Sequence, residues 1–586
     1  MGTAPARANP LAVVHEVSRR LCAAGDLDDT EFAAVVARLG PPQGQKIVCL
    51  VSLHRAFAPA APVARSPLPD PEAERWTTVL TDAVLRDYLL PAVRRHGPRR
   101  ALVADGTTWT YAELEGTARK LAGHLLDLGV TPGTPVALIL GNSAEYVIAD
   151  LAIVLLGAAR VPLNLMLSRD EQAFVLADSE APVCLVLSDR MDAVEAARTL
   201  GADPRLVIVG GPRDSWRQAL AHPPLTALPA VPTDAPALIM YTGGTTGRPK
   251  GVLHDQRRTA ANLLSHLLEM EIRADDVLML TSPLPHSAQF LLQAALAKGA
   301  SVFLENRFDP EQVLDRIEQD RVTYLFLVPT MIYRLLDAVT ARKTLDSGSL
   351  GTILYGAAPI TADRLKQGLR TFGPVFMQLY AQSEAPNFLT RLRRDDHRLD
   401  PAGIARLASC GQAVVMADVR VVREDGSVCD PREVGEVTAL TPYTMNGYLG
   451  RDTETAEVLR GGRLYTGDLG YLDEDGYLYL VDRKKDMIIT GGLNVYSGEV
   501  EQALSQIPGV KHVAVAGIPH PDWGEAVVAF VVPDGTEVTP VSVTEEAHGR
   551  LTAYKRPKAV VFVPALPMTS VGKVDKKELR ESWTEW

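Results

Sequence analysis

The chain has 586 residues, more than one hydrophobic core usually serves, so two or more domains are expected. Hydrophobic residues at 46% and charged residues at 22% exclude a collagenous or wholly disordered chain. Lys and Arg number 60 against 71 Asp and Glu, and the net charge of -11 excludes a broad nucleic-acid-binding surface.

The beginning, MGTAPARANP, carries no apolar core of a signal peptide. From Pro10 to Leu39 apolar residues recur at helical spacing, and an Ala/Pro-rich stretch follows from Ala58, so residues 1–75 read as an N-terminal appendage and linker. Cys22, Cys49, Cys184, Cys410 and Cys429 show no CxxC spacing, which points away from a zinc site or disulfide framework and toward a reducing, cytoplasmic setting. After Trp76, amphipathic helical stretches alternate with β-branched runs such as PVALIL, APVCLVL and RLVIVG, the pattern of α/β layers around largely parallel sheets. The most apolar stretch, from Val147, is interrupted by Asp150 and Arg160 and is too short to span a bilayer; it reads as a buried helix running into a strand. No transmembrane segment is expected.

The sharpest local signal is ALIMYTGGTTGRPKGV, an apolar strand running into Thr242, Gly243, Gly244, Thr245, Thr246 and, after Pro249, Lys250. Glycines admit positive φ and close backbone approach, so amide N–H groups can converge on phosphate oxygens while Thr hydroxyls and a Lys ammonium add donors. The spacing is not GxxxxGK[ST], which implies a nucleotide fold other than the P-loop. Further on come YGAAP from Tyr355, LYAQSEAP from Leu379, YTGD from Tyr465, DRKKDMIITGGLNVYSGEVE from Asp482 and PMTSVGKVDKKELR from Pro567. Beyond VDRKKD, HVAVAGI, AVVAFVV and AVVFVPAL read as strands and SGEVEQALSQI and TEEAHGRLTAY as helices of a compact α+β unit.

In these motifs and their order, the sequence from about Trp76 onward resembles the adenylate-forming superfamily of acyl-CoA synthetases, luciferases and peptide-synthetase adenylation domains. The resemblance implies an α/β fold with a large N-terminal domain of stacked α/β layers and a β-rich subdomain over residues 76–484, and a small mobile C-terminal α+β lid over 485–586, hinged near Lys485. It implies that Thr242, Gly243, Gly244, Thr245, Thr246 and Lys250 hold the phosphates of ATP and that Gly356, Ala357, Ala358 and Pro359 line the adenine. Tyr380 would stack on the base, with Ala381, Gln382 and Ser383 in the same loop, and Glu384 would bind Mg2+, which favours hard oxygen ligands and phosphate. Asp468 would accept the ribose hydroxyls, with Arg483 reaching the same nucleotide.

By the same resemblance Lys573 is the lysine that offsets charge as acyl-AMP forms, and His286 stands beside the incoming carboxylate, with Ala288 and Gln289 following into the acyl pocket. Lys484, Gly491 and Gly492 would meet coenzyme A. Lys576 and Lys577 read as a solvated helix start without a role. Gly243 for the common Ser, Ala381 for Gly and Ser497 for the frequent Pro depart from the family pattern without removing a charged catalytic group. The implied activity is that of an acyl-CoA ligase: a small-molecule, hydrophobic carboxylic acid is activated by Mg-ATP to acyl-AMP and passed to coenzyme A. An acyl carrier protein as acceptor, a chain retaining only the thioester-forming half-reaction, and a non-catalytic nucleotide- or acyl-binding relative are the alternatives.

Overall fold

The computed structural model describes residues 83–242, 249–342, 345–535, 538–568 and 574–584. The appendage expected over 1–75, with its helical stretch from Pro10, lies outside them. The unit Val84–Trp586 contains every site residue named above, and among its described residues the strands form four sheets.

The first sheet has seven strands in the spatial order Gly447–Tyr448, Lys250–Asp255, Pro236–Thr242, Ala159–Pro162, Pro135–Ile139, Val183–Leu187, Arg205–Val209. From Pro236–Thr242 to Arg205–Val209 the pairing is parallel; the two strands at the other edge run antiparallel. A second sheet of nine strands is parallel from Phe376–Gln382 to Arg100–Ala104, with antiparallel strands at both edges. Of the β-branched runs of the sequence, PVALIL and APVCLVL are the inner strands Pro135–Ile139 and Val183–Leu187, buried on both faces as parallel sheets require, whereas RLVIVG is the edge strand Arg205–Val209, of which only Val207 is buried.

The apolar stretch from Val147 forms the helix Ala144–Leu156 and the strand Ala159–Pro162. Its two interrupting charges pair with each other in the interior. Arg160 Nη1 lies 3.2 Å from Asp150 Oδ1, Gln293 Nε2 donates to Asp150 Oδ2 at 2.9 Å, and Arg160 Nε donates to the Ala237 carbonyl at 3.3 Å. Such partners are what let a buried charged pair persist. No helix among the described residues is long and apolar enough to cross a membrane.

A third sheet is antiparallel and ends on Leu478–Arg483, paired to Arg463–Leu472. Beyond it the C-terminal sheet holds Leu493–Val495, Ile488–Thr490, Gly524–Pro533 and Val510–His520, with Ala559–Phe562 added in parallel. Val500 and Leu504 of the helix Ser497–Leu504 and Val543 and Ala547 of Pro540–Arg550 fill its core against Val515, Val527 and Val531. This is the large N-terminal and small C-terminal α/β arrangement that the motifs implied.

Candidate active site

The strands Pro236–Thr242 and Lys250–Asp255 form an antiparallel pair in which Thr242 faces Lys250, so the Gly/Thr loop joins two adjacent strand ends. Gly243, Gly244, Thr245 and Thr246 at its tip lie outside the described residues. The YAQSE segment, expected as a loop, is a β-hairpin. Tyr380 and Gln382 belong to Phe376–Gln382, Gln382 pairs with Ala385 of Ala385–Leu392, and Ser383 and Glu384 make the turn. Aromatic residues on both arms, Phe376 and Tyr380 on one and Phe388 on the other, favour strands, and the two-residue connection suits a tight hairpin.

That turn is fixed from three sides. His254 Nε2 donates to the Ser383 carbonyl at 2.9 Å, Met445 N–H donates to the Glu384 carbonyl at 2.7 Å, and the Tyr448 hydroxyl donates to Glu384 Oε1 at 2.7 Å. Burial pushes the His254 pKa down to about 4, so the ring is neutral near pH 7 and its Nε2 carries the donated proton. The Lys250 ammonium sits 5.2 Å from the centre of the Tyr448 ring, within cation–π range.

Asp468 is the second focus. It is 5% exposed, and Oδ2 accepts from the Tyr380 hydroxyl at 2.7 Å and from Gln382 Nε2 at 2.8 Å. Arg483 Nε lies 3.1 Å from Oδ1, directly opposite in the pairing of Arg463–Leu472 with Leu478–Arg483. Burial, reinforced by the Asp468 charge, holds the Tyr380 phenol well above its ordinary pKa, so it remains a donor. Tyr380 was expected only as a stacking ring; its hydroxyl is also an anchor for Asp468.

Gly356, Ala357, Ala358 and Pro359 follow the C-terminal end of Thr352–Tyr355, the position where open α/β sheets bind ligands. A Cβ on Gly356 would lie 2.6 Å from the Leu379 carbonyl oxygen, so only glycine fits so close to the neighbouring backbone. Ala357 holds a φ of 68°, unusual for a residue with a Cβ.

His286 lies in the irregular turn Leu284–Ala288, which breaks from helical geometry at His286 itself. Its Nε2 is 3.0 Å from Asn164 Nδ2; an amide nitrogen can only donate, which makes Nε2 the acceptor. The turn is held by Leu284 N–H on Asn142 Oδ1 at 2.9 Å and by Asn387 Nδ2 on the Ser287 carbonyl at 3.1 Å. Ala288 and Gln289 are buried rather than open at the surface.

On the C-terminal side, Lys484 Nζ pairs with Glu436 Oε2 at 3.0 Å, and Lys485 stands exposed next to it. Gly491 and Gly492 form the two-residue turn between Ile488–Thr490 and Leu493–Val495 with φ of 57° and 78°, which suits glycine at both places. Gly491 N–H donates to the Trp523 carbonyl at 2.9 Å; Trp523 stacks on His520 at 4.3 Å, and the Lys558 ammonium lies 4.6 Å from a Trp523 ring centre. Lys573 lies outside the described residues. Lys576 is not the solvated residue expected. Its ammonium donates to Ser497 Oγ at 2.6 Å and pairs with Glu501 at 2.7 Å, whereas Lys577 is exposed as expected.

The model of the AMP-binding enzyme family matches residues 90–449, and that of the AMP-binding enzyme C-terminal domain matches residues 499–573. The chain belongs to this adenylate-forming family.

Among similar proteins, a feruloyl-CoA synthase of Amycolatopsis is 39% identical over 480 residues, covering 81% of this chain and 94% of that protein. An indoleacetate–CoA ligase of Aromatoleum aromaticum is 36% identical over 481 residues, covering 80% and 92%. Among solved structures, ATP-bound MatB from Rhodopseudomonas palustris superposes with a TM-score of 0.78 at 29% identity over 85% of this chain and 99% of that one.

In this adenylate-forming enzyme two of the departures from the family pattern, Ala381 and Ser497, fall among the described residues, and Gly243 lies outside them. Ser497 in place of Pro gains a bonded N–H and hydroxyl, and Ala381 sits at the register shift between Tyr380 and Gln382 in the strand Phe376–Gln382. The donor set also fits magnesium. Glu384 offers a half-exposed carboxylate whose Oε2 takes no donor among the described residues, and no group of three or more His, Cys, Asp or Glu among them would encage a metal. Magnesium bound largely by phosphate and water needs one or two such carboxylates.

Asn164, Tyr448, Glu436 and Trp523 were missed in the sequence. Asn and Tyr in isolation carry no spacing signal, and their partners lie far away along the chain, 122 residues for Asn164 and His286.

Proposed function

We propose that this enzyme is an AMP-forming acid–thiol ligase that joins a hydrophobic carboxylic acid to coenzyme A through an acyl-adenylate. The observation that carries the reading is the shared hairpin. Phe376–Leu392 presents Tyr380 and Gln382 to Asp468 on one side and Glu384, with Tyr448 and Lys250, on the other. One element thereby spaces a carboxylate suited to ribose hydroxyls from a carboxylate and an ammonium suited to a metal–triphosphate.

In the first half-reaction a carboxylate oxygen of the acid attacks the α-phosphorus of ATP, and the bond to pyrophosphate breaks. Asp468 and Arg483 hold the nucleotide, Thr242 and Lys250 bind phosphate, and Gly356 to Pro359 border the base. Glu384 would hold Mg2+, which when bound supplies positive charge against the phosphates. His286 positions the acid, its ring oriented by Asn164. The role proposed for Lys573 is to offset the charge that builds at the α-phosphate.

In the second half-reaction the thiol attacks the acyl carbonyl and AMP departs. Lys484, the Gly491–Gly492 turn and the adjoining Trp523 and Lys558 offer backbone, an aromatic face and cations suited to a phosphorylated adenine nucleotide with a pantetheine arm. The C-terminal part, residues 485–586, turns about Lys485 between the two steps. We place the reaction in the cytoplasm, where the free thiols of Cys184, Cys410 and Cys429 persist. That two of the relatives named above are a feruloyl-CoA synthase and an indoleacetate–CoA ligase supports coenzyme A as the acceptor and an acid carrying an aromatic ring. An acid panel, aromatic and aliphatic, assayed for AMP release with coenzyme A, with a pantetheinylated carrier protein and with neither, tests the reading. Release that requires coenzyme A supports it, and release with the carrier protein alone replaces the acceptor.

A further inference from the structure

Tyr448 lies within the matched residues 90–449 but in none of the motifs singled out in the sequence, and it touches both charged groups on the phosphate side of the site. It occupies the short edge strand Gly447–Tyr448, antiparallel to Lys250–Asp255 with Tyr448 opposite Val252. The backbone around it is pinned throughout. Asn446 N–H donates to Leu253 O at 2.8 Å, Leu449 N–H to Gly251 O at 2.8 Å, and Tyr448 N–H to Thr455 Oγ1 at 2.9 Å. The ring therefore leaves a rigid strand at a fixed place, the condition under which a side chain can preorganise another.

From that place the phenol donates to Glu384 Oε1 at 2.7 Å, and the ring face lies 5.2 Å from the Lys250 ammonium. Burial first, and then the Glu384 charge, keep the phenol well above its ordinary pKa, so it stays a donor throughout the working range. Glu384 itself stands at a two-residue turn and is half-exposed; without a partner its side chain would sample several rotamers.

We propose that Tyr448 is a positioning residue: its hydroxyl fixes Glu384, leaving Oε2 for the divalent cation, and its ring seats Lys250, so that both charges meet the triphosphate at one set spacing. This rests on the reading of Glu384 as the magnesium carboxylate. Tyr448→Phe keeps the ring and removes the donor; Tyr448→Leu removes both.

The test uses the full chain, Mn2+ as spectroscopic probe and an ATP analogue with a methylene bridge between the α- and β-phosphates. Electron paramagnetic resonance reads Mn2+ affinity, and calorimetry reads analogue affinity without metal. Tyr448→Phe should weaken Mn2+ binding to the analogue complex by about tenfold, the scale of one hydrogen bond to a charged group, with analogue affinity nearly unchanged. Tyr448→Leu should weaken both. Acid-dependent pyrophosphate exchange of Tyr448→Phe should recover at high Mg2+. Wild-type Mn2+ affinity in Tyr448→Phe, alongside weakened affinity in Glu384→Ala, overturns the role of Tyr448 and leaves that of Glu384 standing. Wild-type Mn2+ affinity in Glu384→Ala overturns both.

Discussion

Asp482 accepts both the backbone N–H and the hydroxyl of Ser497, the latter with Oγ 2.8 Å from Oδ2 and 3.0 Å from Oδ1. The two residues flank the proposed pivot at Lys485. Asp482 lies on Leu478–Arg483, the last strand before it, and Ser497 opens the helix Ser497–Leu504 beyond it. The contact is close. A Cβ on Gly498 would lie 2.8 Å from the Val481 carbonyl oxygen, and Lys576 adds a donor to Ser497 from the last helix.

Ser497→Pro should release this junction without harming the helix. Proline suits the first helical position, where its missing N–H and fixed φ cost little, and extended Tyr496 before it is compatible. Both donors to Asp482 are lost. Trypsin cleavage after the exposed Lys484 and Lys485 should accelerate by about tenfold, since charge-assisted hydrogen bonds of this kind are worth roughly 1.5–3 kcal/mol. Ser497→Thr should cleave like wild type. An unchanged cleavage pattern in Ser497→Pro would show that the contact does not restrain the hinge.

Asp468→Ala should raise the KM for ATP by about 10- to 100-fold, because it removes the proposed ribose acceptor and strips the partner from Tyr380, Gln382 and Arg483. Steady-state exchange at varied ATP reads this. A KM within twofold of wild type would remove Asp468 from the nucleotide site.

How much of this was legible beforehand depends on the kind of signal. The parallel strands, the buried helix from Val147 and the order of the C-terminal elements follow from hydrophobic period and β-branched runs, which local sequence carries. The YAQSE hairpin was read as a loop because Gln382, Ser383 and Glu384 are polar, and only pairing with Ala385–Leu392 makes them a strand end and turn. Lys576 was read as solvated because a lysine run at a helix start usually is. Its partners Ser497 and Glu501 lie 79 and 75 residues earlier, so no local pattern reveals them. Tyr448 and Asn164 were missed for the same reason.

Stability should fall as the pH drops from 6.5 toward 4. His254, His266 and His397 are buried, and desolvation lowers each pKa from 6.5 to about 4, so the unfolded chain binds protons there that the folded chain does not. Their neutral forms cost nothing above pH 6.5, destabilisation grows as protons bind the unfolded state, and it levels off below the folded pKa. Each contributes up to about 3 kcal/mol. Calorimetry from pH 7.5 to 4 should show a Tm declining mainly below 6.5. A flat profile across that window would mean that these imidazoles are not held neutral.

Glu384→Ala should depress acid-dependent pyrophosphate exchange by about 10²–10³, comparable to losing one preorganised electrostatic contributor, while nucleotide still binds. Exchange kinetics together with calorimetric ATP binding separate the two. Wild-type exchange in the mutant would exclude Glu384 from the metal site.

The account centres on two half-reactions in one enzyme, and the most direct measurement follows both with a panel of hydrophobic carboxylic acids. Pyrophosphate exchange into ATP is recorded without coenzyme A, and thioester is then identified by mass spectrometry once coenzyme A is added. The predicted result is exchange that requires one class of acid and Mg2+, followed by the matching acyl-CoA with one AMP released per thioester. No exchange with any acid while supplied acyl-AMP is still converted to thioester, or exchange that never yields a thioester, would contradict it.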